Sequence, residues 1–183
     1  MPLLAESLVE EWLNREGYFT IRDVKHGLGE MDLLAVPPES DGVVGRYVEV
    51  TVSFRPIGYI APERFGASGS RGSYVRKRTP QQVQVCARAY VGPSFAPLTK
   101  FSLRAQLWPG VICSFHLVHG LVRYPDELSA FAHEGVNCHP SYPLLSDLSQ
   151  RDSRSSSGSA SGDLAEIFKR TGKVDSRTNA ILL

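Results

Sequence analysis

Two acidic residues interrupt segments that otherwise read as apolar strands. Asp32 sits within Met31-Asp32-Leu33-Leu34-Ala35-Val36, and Glu49 within Tyr47-Val48-Glu49-Val50-Thr51. A carboxylate buried in such a strand costs several kcal/mol unless it is paired or holds a metal ion. Any fold for this chain must therefore give both acids a partner or leave them in water. One solution turns them to solvent at an edge, or pairs them with Arg22 and Arg46. The other sets them side by side on neighbouring strands, where an oxygen-rich, charge-dense site suits Mg²⁺.

The surrounding elements follow from periodicity. Leu4, Leu8, Val9, Trp12 and Leu13 share one face of a helix expected over 3–16, and Gly17 suits the left-handed residue that closes it. Strands are expected over 18–24 and 30–36, joined by a turn at His26-Gly27-Leu28-Gly29. A third, over 46–54, places Val48, Val50 and Val52 on one face and Tyr47, Glu49, Thr51 and Ser53 on the other. Thr79-Pro80 reads as N-cap and first residue of a helix running to about Val91. A strand over 111–118 and a helix over 126–133, capped at Asp126, complete a single α/β domain expected over 1–145. Eight serines among the 16 residues from Ser146 to Ser161 predict a flexible linker over 146–162. Asp163 then caps a short amphipathic helix (Leu164, Ile167, Phe168) in a tail over 163–183.

Charge narrows the partners. The chain carries 20 Lys+Arg against 19 Asp+Glu, so a nucleic acid must be held by a local patch rather than a polybasic coat. Such a patch runs from Arg55 to Arg78, with net charge +5 from Arg55, Arg64, Arg71, Arg76, Lys77 and Arg78 against Glu63. Its glycines and serines would let a phosphate backbone approach, and Phe54, Tyr59, Phe65 and Tyr74 would stack on unpaired bases. The alternative is a solvated surface loop. No apolar run approaches the roughly 18–20 residues needed to cross a bilayer. The N-terminus lacks the basic region of a secretory signal, and Cys86, Cys113 and Cys138 are an odd, scattered set of thiols. A cytoplasmic protein is expected. Cys113, His116, His119, His133, Cys138 and His139 include no CxxC pair, and on a strand 113 and 119 face away from 116, which argues against zinc.

Taken together, Ala5-Glu6, Leu13, Gly17-Tyr18, Gly29-Glu30-Met31-Asp32-Leu33-Leu34-Ala35 and Tyr47-Val48-Glu49-Val50-Thr51 resemble the PD-(D/E)XK nuclease superfamily. Within it the resemblance is closest to the Holliday junction resolvase-like branch, which includes small bacterial endonuclease-like proteins. It covers roughly residues 5–91. It implies a restriction endonuclease-like αβββαβ core, a mixed central sheet flanked by helices, and hydrolysis of DNA with Mg²⁺ or Mn²⁺. Some relatives act as homodimers. By the same resemblance Asp32, Glu49 and the Val50 carbonyl are the metal ligands, and Glu6 is an accessory ligand or orients a water. Glu30 matches the acid that precedes the family's Ile-Asp pair. The departure is Thr51, where the family has lysine. Residues 49 and 51 share a face, so Thr51 points where that ammonium would lie. The replacement cation is expected from Arg76, Lys77 or Arg78, with Lys77 the catalytic choice, and Arg55, Arg64, Arg71, Arg76 and Arg78 are expected to contact DNA. Two other readings remain open: a degraded relative that binds nucleic acid without cutting, suggested by Thr51, and a protein-interaction module that recruits a partner through its tail.

Overall fold

The computed structural model describes residues 2–26, 29–38, 44–53, 55–63 and 77–150. Turn residues 27–28, Phe54, Arg64, Arg71, Arg76, the rest of the serine-rich stretch and the tail lie outside the described residues.

Helix α1 (Pro2–Arg15) closes on Gly17, which takes φ 90° as its position after the helix requires. Strands β1 (Phe19–His26), β2 (Gly29–Val36) and β3 (Val44–Thr51) form an antiparallel meander. Helices α2 (Pro80–Phe95) and α3 (Leu98–Leu107) lead to β4 (Ile112–His119), which lies parallel to β3. Helix α4 (Asp126–His133) leads to β5 (Val136–Pro140), parallel to β4, and α5 (Ser141–Gln150) follows. The sheet order is β1-β2-β3-β4-β5, so the chain is α/β with a mixed five-stranded sheet. The expected order of helix, three strands, helix and strand is present, and α3, β5 and α5 come in addition. Helix α5 crosses the expected boundary at 145, because Leu148 is buried and its carbonyl accepts from Arg15 Nη1 at 3.1 Å. Among the described residues, no helix is long and apolar enough to cross a membrane.

Strand alternation divides the core into two layers. Val48, Leu33, Ala35 and Val118 face α1, where Val9 and Leu13 cover them. Tyr47, Leu117 and Val136 face the opposite layer, against Val83, Ala87, Val91 and Phe95 of α2, Leu103 of α3 and Phe131 of α4. Each Val, Leu or Phe among them contributes about 1.5–3 kcal/mol on full burial. The start of α2 is a capping box: Thr79 Oγ1 accepts the Gln82 N–H at 3.3 Å, and Gln82 Oε1 accepts the Thr79 N–H at 2.9 Å. After β3 the backbone passes so near β4's end that a Cβ on Gly120 would lie 2.8 Å from the Ser53 carbonyl oxygen, which only glycine permits.

One buried acid ties down the segment between β3 and α2. Glu127, fully buried on α4, accepts the Ile60 and Ala61 N–H groups at 2.6 and 2.9 Å. The same carboxylate lies 3.5 Å from Arg78 Nη1, and the Arg78 guanidinium lies over the Tyr59 ring at 4.0 Å.

Candidate active site

The antiparallel pairing of β2 and β3 ends at Leu33↔Val48, and Asp32 and Glu49 are the next residue on each strand. There the strands separate. Asp32 Oδ2 takes the Val50 N–H at 2.8 Å, a bond that the strand ladder would otherwise use. The pairing of β1 with β2 has a matching gap: Arg22 pairs with Leu33 and Val24 with Met31, while Asp23 adopts φ 55°. Left-handed backbone at a non-glycine residue stores strain, and such strain collects at functional sites. Glu6 of α1 completes the edge. It is buried, and the Asp32 and Asp23 carboxylates bear on it electrostatically.

Crowding these acids has an electrostatic consequence. Burial, then the Asp32 charge, then Asp23 push the Glu6 carboxyl up to about 7. Burial, then the Glu49 charge push Asp32 up to about 6, against the lowering effect of the Val50 N–H and Lys100. Carboxylates held this high are short of positive charge, which a divalent cation supplies.

Some of that charge comes from within the chain. Lys100, on the first turn of α3, places its Nζ 2.7 Å from Glu49 Oε1 and 2.7 Å from the Tyr47 hydroxyl. Its third donor reaches the Ser94 carbonyl at 2.8 Å, at the negative end of α2. The Tyr47 hydroxyl itself donates to Glu49, and burial followed by the Glu49 charge holds the phenol well above its ordinary range. Thr51, on the same face, lies with Oγ1 3.5 Å from the Tyr90 hydroxyl.

Sequence reasoning brings Glu6, Asp32, Glu49, Val50 and Thr51 to this edge and misses Lys100, Asp23 and Tyr90. Lys77 is exposed ahead of α2, and the ammonium in contact with Glu49 is that of Lys100. Arg55 is exposed. The Arg78 side chain is buried against Glu127 and Tyr59, so it is occupied within the fold rather than free for phosphate. Tyr59, expected to stack on a base, stacks on Tyr124 with ring centroids 4.8 Å apart. His116 and His139 form a separate network on the α1 side of the sheet: His116 Nδ1 lies 2.8 Å from His139 Nε2, and His116 Nε2 lies 2.8 Å from Ser114 Oγ.

Among the described residues, no three His, Cys, Asp or Glu side chains stand in a preformed metal-binding group. Mg²⁺ does not demand one, because it keeps several waters and is held by one or two carboxylates together with substrate phosphate. Asp32, Glu49 and the Val50 carbonyl are hard oxygen donors of that kind, and in this structure Lys100 occupies Glu49 Oε1.

No family model matches the chain, and no curated protein matches its sequence. Among solved structures it is similar to the crystal structure of a protein of unknown function, AF1548, with 16% sequence identity and a TM-score of 0.48. The match covers 80% of this chain and 66% of that one.

Proposed function

We propose that the chain is a Mg²⁺- or Mn²⁺-dependent nuclease that hydrolyses DNA phosphodiester bonds. The observation that carries this reading is the Lys100 ammonium 2.7 Å from Glu49, beside Asp32, on the strand face where Thr51 provides no charge. A metal-dependent phosphodiester site needs clustered hard oxygens and a cation placed where phosphoryl charge develops. In support, the candidate oxygens and the ammonium are contributed by four elements, α1, β2, β3 and α3. A divalent ion held by Asp32, Glu49 and the Val50 carbonyl would supply activated water and offset charge on the phosphoryl group. Asp32 is kept in place by the Val50 N–H. Glu6, with a proton affinity near neutrality, is suited to accept a proton from the attacking water. Lys100 takes the part of the family lysine from a different element.

Plasmid and oligonucleotide cleavage with Mg²⁺ and with Mn²⁺ tests the reading. Wild type should cut, and Asp32→Asn should not. Lys100→Met should lower turnover by about 10²–10³-fold, the usual cost of losing one stabilising donor. Adding Thr51→Lys to that variant should restore part of the loss, because residue 51 shares the Glu49 face. Wild type that binds DNA and cuts it with neither metal would favour the second reading, a non-cleaving nucleic-acid-binding relative, for which Thr51 is the specific observation.

A further inference from the structure

Lys100 directs all three of its N–H groups into the candidate site, to Glu49, Tyr47 and Ser94. The side chains of Lys100 and Glu49 are only 12% and 15% exposed, so the pair is largely out of water. Glu49 therefore carries a resident positive charge, and its Oε1 is occupied. The backbone beneath Lys100 is fixed independently: one turn later Arg104 is buried, donates to the Phe95 carbonyl at 3.0 Å and lies over the Tyr47 ring at 4.9 Å. Lys100 can thus change partners by rotating its flexible stem while α3 stays in place.

We propose that Lys100 is a displaceable internal cation that makes metal and phosphodiester binding cooperative. Glu49 exchanges the ammonium for a divalent cation when a phosphodiester oxygen is at hand to receive the released Lys100. Without that anion, release leaves a largely buried ammonium with the neutral Tyr47 hydroxyl and Ser94 carbonyl in place of its carboxylate partner, so the metal alone binds weakly. With it, each charge finds a new opposite. Because the coupling is an equilibrium property, DNA must tighten metal binding by the same factor by which metal tightens DNA. The proposal rests on the metal-dependent reading of the site, and its test separates the two.

The experiment is a Mn²⁺ titration at pH 8 read by the electron paramagnetic resonance of free Mn²⁺, with and without a short duplex whose linkages are cleavage-resistant phosphorothioates. Wild type, Lys100→Met, Lys100→Gln and Asp32→Asn are compared, and thermal melts confirm that each is folded. In wild type the duplex should tighten Mn²⁺ by about tenfold or more, and fluorescence anisotropy of the duplex with and without Mn²⁺ should return the same factor. Both Lys100 variants should bind Mn²⁺ alone about tenfold more tightly than wild type, with the duplex adding about threefold or less. Absence of coupling in wild type overturns the proposal without recourse to any variant. So do Lys100 variants that bind Mn²⁺ no more tightly than wild type, or that keep the full duplex effect. If wild type binds Mn²⁺ no better than Asp32→Asn does, the metal-dependent reading itself fails and the exchange fails with it.

Discussion

Asp32→Asn should make the metal-free protein more stable, and only at the pH where the acid is charged. The folded protein holds the Asp32 carboxyl at about 6 against an ordinary 3.8, a rise of about two units. At 1.36 kcal/mol per unit this is about 3 kcal/mol, and solvent at the half-buried site reduces it to about 2. The sign follows from linkage. A raised acid binds its proton more tightly folded than unfolded, so stability is present at low pH and is lost as pH climbs from about 4 through 6. Asparagine is neutral throughout and its side-chain carbonyl still accepts the Val50 N–H. The gain should therefore be small at pH 4 and about 4–8 °C in melting temperature at pH 8, for a domain of this size. Circular dichroism melts at the two pH values measure it. Mn²⁺ together with the cleavage-resistant duplex should narrow that gap at pH 8, raising the wild-type melting temperature more than the variant's. A variant no more stable than wild type at pH 8, or one that gains as much at pH 4, would show that Asp32 is not held under electrostatic strain.

Glu127→Gln should cost about 3 kcal/mol in urea unfolding, since an amide supplies one acceptor for two backbone N–H groups and no charge for Arg78. His116 has the opposite pH signature to Asp32: burial first, then the charges of His139 and Arg46, lower it to about 4, so its contribution is complete above 6.5 and lost as pH falls through 4. His116→Gln should flatten that acid limb in melts taken between pH 4 and 7. Truncation after Gln150 keeps α5 and should leave the melting temperature within about 2 °C of the full chain, as expected of a serine-rich segment with little apolar surface to bury, whereas truncation after Pro140 removes Leu144 and Leu148 from the α1 layer and should lower it clearly.

The first half of the chain is legible because its periodicities are simple. The Val48, Val50, Val52 alternation fixes which face of β3 carries Glu49, and Thr79-Pro80 marks the start of α2 to the residue. Helix α3 is illegible for a physical reason. Its amphipathicity is reversed: Lys100 and Arg104 point inward, while Leu98 and Phe101 are 82% and 62% exposed. A reader of apolar stripes finds no core-facing helix there, and so no Lys100. On the nuclease reading Thr51 asks for a cation from another element; nearness in sequence favours Lys77, and the ammonium in contact with Glu49 is that of Lys100. Strand β5 is five residues long and lacks a clean alternation. Asp23 and Asp32 escaped joint notice because the interrupted pairing that joins them is a property of backbone conformation rather than composition.

The Glu127 anchor bears on how freely this protein's surface is able to vary. Ala61 and Arg78 both contact the Glu127 carboxylate, so two positions 17 residues apart in sequence are held at nearly one point. A segment whose ends are already joined is invisible to the sheet: doubling its length costs only about 0.6 kcal/mol in closure entropy. The arginine-rich stretch between those anchors is therefore a replaceable cassette. Changes of length or charge between residues 61 and 78 should therefore leave the anchors at Glu127, and the positions of Asp32, Glu49 and Lys100, unmoved.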